Sequence, residues 1–448
     1  MESRPTKSPN FFKGVNEMKK CFVTTLICLV LIASVAYGAI IHVPGDYPTI
    51  QAGIDAAVDG DTVLVADGTW TGPDNKNLDF NGKAITVTSE NGAEYCIIDC
   101  NSDGRGFDFH SGESENSVVS GFTIKNGYVS FESGGGVRCL SASPTITNNI
   151  IRNCNPYGHG GGVGCQGGAS PTIANNIITE NMTEPAWSGG GIYCDGASSP
   201  IIMSNTITKN SSDYGGGIRC IEYSNPVITN NVIAWNSGQG GGISCDHSSP
   251  IITNNTITRN DFWGIESWQS SPVVINTIIW NNTSSAISGS AIVTYSDVQG
   301  GWPGIGNINA DPMFVDPNGD YHLQVGSPCI DAGTPIGAPP DDIEGNPRDE
   351  FPDMGTYEYQ GVGTGSINGT VTDMASNPIK GVLVIAALGE TKEKAFTDDE
   401  GYYEISNLEP GTYWVLCIRI GYKLSIRKAE VVAGETTTVH FRLREKLE

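Results

Sequence analysis

The sequence predicts an all-β protein: a parallel β-helix solenoid with three strands per coil, followed by a small β-sandwich. Three observations predict it. A glycine-rich motif ending in cysteine occurs five times, as GGGVRC, GGGVGC, GGGIYC, GGGIRC and GGGISC. A proline-containing motif of the type SPTITNNII occurs six times, with prolines at 144, 171, 200, 226, 250 and 272. After residue 363, short alternating stretches and turns recur every 8 to 12 residues, which is typical of a sandwich.

The spacing of the prolines describes a coil. It varies from 22 to 29 residues, as in a solenoid whose coils carry loops of different length. In GGIRC, Ile218 and Cys220 share one face and Arg219 takes the other, while Ile202 and Ile207 mark two further strands. Each coil therefore contains three short strands, and successive coils should stack about 4.8 Å apart in register.

Equivalent residues then form ladders along the solenoid. We expect a buried isoleucine ladder of Ile146, Ile173, Ile202, Ile228 and Ile252. We also expect a buried cysteine ladder, Cys139, Cys165, Cys194, Cys220 and Cys245, whose spacing also allows bridging of neighbours. The predicted turn asparagines adopt left-handed backbone and bond the next coil through their amides; they are Asn149, Asn176, Asn205, Asn231, Asn255 and Asn276.

The glycine triplets are interpreted as corners where a Cβ does not fit. They lack the Lys and Ser/Thr that a phosphate-binding loop requires.

Composition excludes some partners. With 25 Lys and Arg against 49 Asp and Glu, the protein repels a nucleic-acid backbone, so we expect no nucleic-acid partner. Met18, Lys19 and Lys20 precede an apolar run of about 14 residues that ends before Ala36 and Gly38. Because a bilayer span needs roughly 20 residues, residues 1–38 are predicted to be a cleaved signal peptide with an N-terminal extension, leaving no membrane span. We expect a secreted or cell-surface monomer.

A family resemblance supports the fold. Residues 41–70, IHVPGDYPTIQAGIDAAVDGDTVLVADGTW, resemble the entry segment of secreted right-handed β-helix proteins of the pectin lyase fold. The resemblance implies a right-handed helix over residues 39–305, with residues 50–58 as the amphipathic cap helix that covers its open end. Residues 81–92 and 117–127 are similar to the first coils of that family.

Two further modules are expected after the solenoid. Residues 306–362 resemble a closing module of the choice-of-anchor type, which seals the end of such helices. In it Asp316, Asn318 and Asp320 have the alternate spacing of a calcium loop, but Tyr321 stands where glycine should follow. Residues 363–448 resemble the carboxypeptidase regulatory-like β-sandwich, for which the resemblance implies no peptidase site.

The candidate site is the outward row beside the glycine corners. Aromatic side chains that stack on sugars, beside charged groups that bond hydroxyls or uronates, suit polysaccharide binding. The predicted substrate-binding residues are Arg138, Tyr157, Trp187, Tyr193, Tyr214, Trp263, Glu266 and Trp268. These arginines and aromatics are also compatible with solvated faces and loop packing.

Two catalytic interpretations stay open. In a pectate lyase-like enzyme, Arg219 is the base or charge-stabilising group, and Asp195 and Asp246 leave room for a Ca²⁺ bridge to the substrate carboxylate. In a glycoside hydrolase, the same two aspartates stand about 10 Å apart, near the upper edge for inversion. His159 in GHG lacks the companion motifs of polygalacturonases, and His247 is predicted to be solvated. The alternative is a structural or adhesive protein whose helix is a rigid spacer.

Overall fold

The computed structural model describes residues 38–361, 365–389, 391–432 and 435–446. The predicted leader, apart from its last residue, lies outside the described residues. Two compact units are present: the first runs to Val274 and includes Ile279–Val293, and the second comprises Ile275–Ile278 and the chain from Thr294 onward. Across these described ranges, the search for a helix with the length and apolarity of a membrane span finds none.

The first unit is a parallel β-helix, as predicted. Each coil contributes one strand to each of three parallel sheets, here named A, B and C, and the chain passes through them in the order C, A, B. Sheet A is formed by Ile40–Val43, Thr62–Val65, Thr86–Ser89, Val118–Ser120, Thr145–Thr147, Thr172–Ala174, Ile201–Met203, Val227–Thr229, Ile251–Thr253, Val273–Ile275 and Ile292–Thr294. Sheet B contains Gly68–Trp70, Cys96–Asp99, Thr123–Lys125, Ile150–Arg152, Ile177–Thr179, Thr206–Thr208, Val232–Ala234, Thr256–Thr258 and Ile278–Trp280.

Sheet C carries the glycine-cysteine motifs. Its strands are Phe107–Phe109, Val137–Leu140, Val163–Gln166, Ile192–Cys194, Ile218–Ile221, Ile243–Asp246, Trp263–Trp268 and Ser285–Ser288. Two loop strands, Ser211–Tyr214 and Ser237–Gln239, pair in parallel beside it.

An α-helix, Ile50–Ala56, and a short 3-10 helix, Pro73–Asn75, accompany the first coils. The side chain of Thr49 caps the α-helix by accepting from the Ala52 N–H at 3.3 Å. Ile50, Gly53 and Ile54 are its buried face. The cap helix predicted over residues 50–58 is confirmed and is two residues shorter.

The inward ladders are confirmed. The five isoleucines of sheet A are fully buried, and pairs such as Ile146 with Ile173 share a register position on adjacent strands. The cysteines align in the same way: Cys165 pairs with Cys139 and Cys194, and Cys220 pairs with Cys194 and Cys245. All five are free thiols at zero exposure, so the ladder is a stack of small buried side chains rather than a set of disulfides.

The asparagine turn differs from the expectation in one respect. Left-handed backbone occurs at the residue before the predicted asparagine, as at Asn148, Asn175 and Ser204, with φ between 54° and 56°. Of the six predicted positions, Asn276 has positive φ itself. The predicted amide ladder is present: Asn176 N donates to Asn205 Oδ1 at 2.9 Å, and Asn205 N donates to Asn231 Oδ1 at 2.9 Å. The amide must point inward to reach the next coil, so the preceding residue makes the turn.

Two further ladders close the other corners. Between sheets B and C, the buried asparagines Asn181, Asn210, Asn236, Asn260 and Asn282 repeat the same bonds at 3.0 Å. Between sheets C and A, Ser198, Ser224 and Ser248 each donate a backbone N–H to a serine hydroxyl of the next coil at 3.0 to 3.1 Å. At each corner the stacked side chains therefore accept backbone N–H groups of the neighbouring coil.

The glycine triplets make the sharp corner that the sequence predicts. The first glycine of each triplet has φ between 62° and 76°. At the second position there is no room, because a Cβ on Gly161 would lie 2.3 Å from the Gly190 carbonyl oxygen of the next coil.

The second unit holds Asp297–Val298, the hairpin Phe314–Asp316 with Asp320–Leu323, and the predicted sandwich. One sandwich sheet contains Tyr402–Leu408, Gly365–Asp373, Thr436–Thr438 and Phe441–Leu443; the other contains Thr391–Phe396, Leu383–Leu388, Gly411–Ile418 and Ser425–Val431. Its own buried cluster includes Val371, Val384, Tyr403, Val415 and Phe441.

Candidate functional site

The outer face of sheet C presents one continuous row of side chains. In register from coil to coil the row reads Asp108, Arg138, Gly164, Tyr193, Arg219, Ser244, Glu266 and Ser288. A second outward row, two residues along each strand, contains Ile221, Asp246 and Trp268. Because both rows share one face, charges that are far apart in sequence meet on adjacent coils.

Arg219 is the centre of a polar chain along this face. Its Nη1 donates to the Ser244 hydroxyl, and Ser244 Oγ donates to Glu266 Oε2 at 2.7 Å. Its Nη2 lies 3.3 Å from Asp246 Oδ2. Asp246 also lies 2.6 Å from His247 Nδ1 through its other oxygen. The structure thus brings the predicted residues Arg219, Asp246 and Glu266 together, and adds Ser244 to them.

Two polar atoms of the predicted catalytic residues are buried without a partner. Within the described part of the chain, Asp195 Oδ1 and Arg219 Nε have essentially no exposed surface and make no hydrogen bond. Asp195 Oδ2, in contrast, accepts from the Tyr193 hydroxyl at 3.2 Å. An unpaired buried acceptor and donor each cost about 1–3 kcal/mol, and the same condition holds for Asn155 Oδ1, Thr183 Oγ1 and Ser198 Oγ elsewhere in the first unit.

Tyr193 differs from its predicted role as an exposed sugar-stacking residue. Its side chain is 2% exposed. Its ring stacks on His159, with centroids 4.3 Å apart and planes at 7°. Burial and the Asp195 carboxylate raise the pKa of Tyr193. Tyr193 therefore holds the Asp195 carboxylate by a hydrogen bond and the His159 ring by stacking. The loop that carries His159 covers the Tyr193 ring.

His159 is neutral in this arrangement. Burial lowers the pKa of His159, while the Asp195 carboxylate opposes that shift. The Ser188 N–H donates to His159 Nδ1 at 3.1 Å, which leaves the ring proton on Nε2.

An aromatic cluster lies on the loops beside the row. Trp187 contacts His159 edge-on at 4.8 Å and Tyr157 at 5.8 Å, and Tyr157 contacts Phe131 at 4.9 Å. Phe131 and Tyr157 are exposed, and Trp187 is half-buried. The predicted residues Tyr157 and Trp187 are thus in contact, and Phe131 joins them.

The loops form a wall along sheet C because they pair with one another. Tyr214 bridges Ser188 and pairs with Gln239 on the next loop. The Arg219 guanidinium lies 5.4 Å from the ring centroid of Tyr214, which is 43% exposed. This distance is within the range of a cation–π contact.

The other two predicted tryptophans, besides Trp187, occupy different environments. Trp268 is 64% exposed and lies in register with Asp246 on the outer face. Trp263 is half-buried and contacts Phe262 at 6.1 Å. The Trp268 ring is therefore accessible on the outer face, whereas Trp263, at the start of its strand, packs against Phe262.

Arg138 lies at the other end of the row, apart from the Arg219 chain. It forms two bonds to Asp108, of 2.6 and 2.8 Å, and one to Glu132 of 2.9 Å. Glu132 also pairs with Arg105, which is 2% exposed. A cavity of about 440 Å³ opens here between Asp103, Tyr128 and the two arginines. Arg105 precedes the glycine repeat and Glu132 lies on the segment that enters its first triplet, so the repeat pattern singles out neither residue.

The described residues give no support to the calcium interpretations. Asp195 and Asp246 stand two coils apart in register, since Asp195 follows Cys194 and Asp246 follows Cys245. Two coil rises of about 4.8 Å give the predicted separation of about 10 Å. Asp316 and Asn318 bond each other, and Asp320 bonds His322. Over the described ranges, no group of three or more His, Cys, Asp or Glu side chains is arranged to hold a metal ion.

The three sheets, formed by stacked coils, define a parallel β-helix protein; the outward row of sheet C, with the paired loops beside it, is here named the groove. More particularly, residues 63–220 and 133–284 match the right-handed β-helix region family, and residues 366–444 match the carboxypeptidase regulatory-like domain family. The chain is a right-handed β-helix protein with a C-terminal carboxypeptidase regulatory-like domain. No curated protein matches the chain.

Solved structures similar to the chain include a pectate lyase, the TIE protein of Bacillus anthracis and the minor pilin of Streptococcus agalactiae. The pectate lyase is 15% identical, with 73% of this chain and 98% of that chain covered and a TM-score of 0.49. The TIE protein is 28% identical, with 18% of this chain and 17% of that chain covered and a TM-score of 0.18. The pilin is 19% identical, covering 21% and 50%, with a TM-score of 0.19. This chain therefore spans half or less of the last two.

Proposed function

We propose that this chain is an exported protein that binds polysaccharide along the outer face of sheet C. The observation that carries the proposal is the hydrogen-bonded series around Arg219. In it, charged and hydroxyl groups of Arg219, Ser244 and Asp246 bond one another, and the exposed rings of Tyr214 and Trp268 flank them. Aromatic faces beside hydrogen-bonding groups are what a sugar chain needs, because sugars present both apolar faces and hydroxyls. The leader predicted at residues 1–38 supports export.

The shape of the groove supports a linear ligand. The row extends over eight coils without an interrupting helix, and the paired loops run beside it. A polymer lying along the row passes one register position per coil, at intervals of about 4.8 Å, although Gly164 has no side chain there and Tyr193 and Ser244 are buried. That repeat is comparable with the length of one sugar residue.

Catalysis is the second candidate function, and one observation favours it. Asp195 Oδ1 and Arg219 Nε are buried, polar and unpartnered, and they belong to the residues predicted as catalytic. In this proposal a substrate hydroxyl or carboxylate bonds these two groups after their side chains turn outward, because neither atom has exposed surface in the structure. A lyase uses Arg219 against the proton next to a uronate carboxylate, whereas a hydrolase uses Asp195 and Asp246 as the acid and base.

The experiment compares binding and turnover on one panel. The chain from residue 39 is incubated with polyuronates and neutral glycans; absorbance of unsaturated ends reports a lyase, and reducing ends report a hydrolase. Retention on the same glycans is measured for Arg219→Met, Trp268→Ala and the control Tyr95→Ala, an exposed aromatic away from sheet C. We expect the first two to weaken binding about tenfold, or about 1.4 kcal/mol, and the control to bind normally. Equal retention by all variants contradicts the proposal and favours the spacer.

A further inference from the structure

The β-sandwich carries a pocket whose lining has no acidic residue. The pocket has a volume of about 380 Å³. Its lining consists of Thr370, Thr372, Ser376, Arg427, His440, Phe441 and Arg442. Two guanidinium groups, one imidazole and three hydroxyls therefore surround one cavity, and no carboxylate of the lining neutralises them. This combination is unusual on a protein with a formal net charge of −24.

The neighbourhood reinforces this local charge. Residues 419–446 contain seven Lys or Arg against three Asp or Glu, a formal net charge of +4. Asp373, which follows Thr372 on the same strand, bonds the Ala375 and Asn377 N–H groups at 2.8 Å each. Its carboxylate is committed to that turn, and these bonds hold the pKa of Asp373 below its ordinary value.

The side chains that line the pocket present hydrogen-bond donors to it. Arg442 and Thr372 are paired across two parallel strands, so their side chains leave the same face. The Thr370 N–H donates to His440 Nδ1 at 3.1 Å and the Thr370 hydroxyl lies 2.9 Å from the same nitrogen, so Nδ1 is an acceptor and Nε2–H faces a ligand as a donor. Arg442 Nη2 donates to the Ser376 hydroxyl at 3.1 Å.

Phe441 gives the pocket a rigid base. Its ring is 1% exposed and belongs to the buried cluster of the sandwich. The Arg427 guanidinium lies 5.7 Å from the centroid of that ring. The contact restricts Arg427, so less side-chain entropy is lost when it binds a ligand.

From this geometry we infer that the sandwich pocket binds an anionic saccharide, with Arg427 and Arg442 on its acidic group and the hydroxyls and His440 on its sugar hydroxyls. Guanidinium groups recognise carboxylates and sulfate esters through paired hydrogen bonds. The volume falls in the range of small-molecule sites and exceeds what a bare inorganic anion fills. The site is separate in sequence from the groove along sheet C and does not depend on the proposed function of that groove.

Calorimetry on the chain from residue 39 tests the inference. The groove variant Arg219→Met/Trp268→Ala is titrated with an oligogalacturonate, a sulfated oligosaccharide, a neutral oligosaccharide and inorganic sulfate. We expect saturable binding of at least one charged saccharide and none of the neutral one. Binding of the galacturonate alone assigns a carboxylate ligand, and binding of the sulfated sugar alone assigns a sulfate ester. Equal binding of the neutral sugar, or binding of inorganic sulfate only, overturns the inference.

Matched charge removals localise the site. In the same background, Arg427→Gln/Arg442→Gln is expected to lower affinity more than tenfold. The control Lys392→Gln/Lys394→Gln removes the same charge from an exposed strand of the other sandwich sheet and is expected to bind normally. Thr372→Val, which keeps both arginines, should weaken binding to a smaller extent. Unchanged affinity in the arginine variant refutes the pocket while leaving the groove untouched, because the groove is scored by its own variants.

Discussion

The guanidinium of Arg219 lies 3.3 Å from the carboxylate of Asp246 on the next coil of sheet C. The contact exists only because coils stack in register, since 27 residues separate the two in sequence. It places the Arg219 guanidinium between Ser244 and Asp246, where it contacts both. The candidate site is therefore a product of the repeat, and its chemistry depends on which residue each coil places on the outer face.

Asp246→Asn tests that ordering role. The amide keeps the shape but removes the charge that holds Arg219, so we expect polysaccharide affinity to fall about fivefold to tenfold. The melting temperature should change little, because both side chains are partly exposed. Retention on the glycan panel and a thermal melt measure the two effects. A large loss of stability with normal affinity would mean that the pair serves only the fold.

Asn205→Ala tests the asparagine ladder. Asn205 is fully buried; its amide donates to the Ile173 carbonyl at 2.8 Å, and its oxygen accepts the Asn176 N–H at 2.9 Å. Alanine leaves several buried backbone groups without partners, so we expect a loss of about 3 kcal/mol in the free energy of unfolding. Denaturant titration measures it. The exposed Asn116→Ala is the control and should unfold like the parent; a similar loss in both would argue against the ladder.

The thiols provide a third prediction. All ten described cysteines are buried and free, and burial raises the pKa of Cys154 to about 12. Because a reagent does not reach a sulfur that is buried in the fold, we expect almost no reaction with a thiol reagent in the native state at neutral pH and full reaction after unfolding. Counting labelled thiols with and without guanidinium checks this. Fewer than ten after unfolding without reductant would reveal disulfides.

Asp297 gives the fourth prediction, a pH dependence. Its carboxyl is fully buried beside Cys329, at 3.4 Å, and burial raises the pKa of Asp297 from 3.8 to about 6. A raised pKa means that the folded state favours the protonated acid. The stability that depends on this protonation is fully present below about pH 4 and is lost as the pH rises through about 6. The difference amounts to about 3 kcal/mol.

Asp297→Asn should remove that loss. Its unfolding free energy, measured between pH 4 and 8, is expected to fall less with rising pH than that of the parent chain. The amide oxygen can still accept the Ala310 N–H, which lies 3.2 Å from the aspartate oxygen. Parallel curves for the two proteins would show that Asp297 is not the titrating group.

The repeat made most of the fold predictable. The glycine triplets, the isoleucines and the cysteines recur at fixed positions, so one coil specifies the others, and the alternation within GGIRC separates inward from outward residues. The left-handed residue lies one position before the predicted asparagine. In a pair such as Asn148 and Asn149, the residue types alone do not tell which residue adopts the turn and which side chain points inward.

The register of the candidate site residues could be predicted from the sequence, but the burial of their side chains could not. Arg219, Asp246, Glu266 and Trp268 follow from register alone. The burial of Tyr193 does not, because it depends on how the loop carrying His159 folds back over sheet C. Loops have no repeat to constrain them, and their length varies from coil to coil. For the same reason the partners of Arg138 could not be foreseen, since Asp108 and Glu132 come from irregular coils.

The most direct test of the account is a crystal structure of the chain from residue 39 with a bound oligosaccharide from the panel. The account predicts a sugar chain on the outer face of sheet C, in contact with Tyr214 and Trp268, with a polar group within 3.2 Å of Arg219 or Asp195. A ligand that leaves this face empty while occupying another surface of the solenoid, or the failure of every glycan at millimolar concentration to bind there, would contradict it.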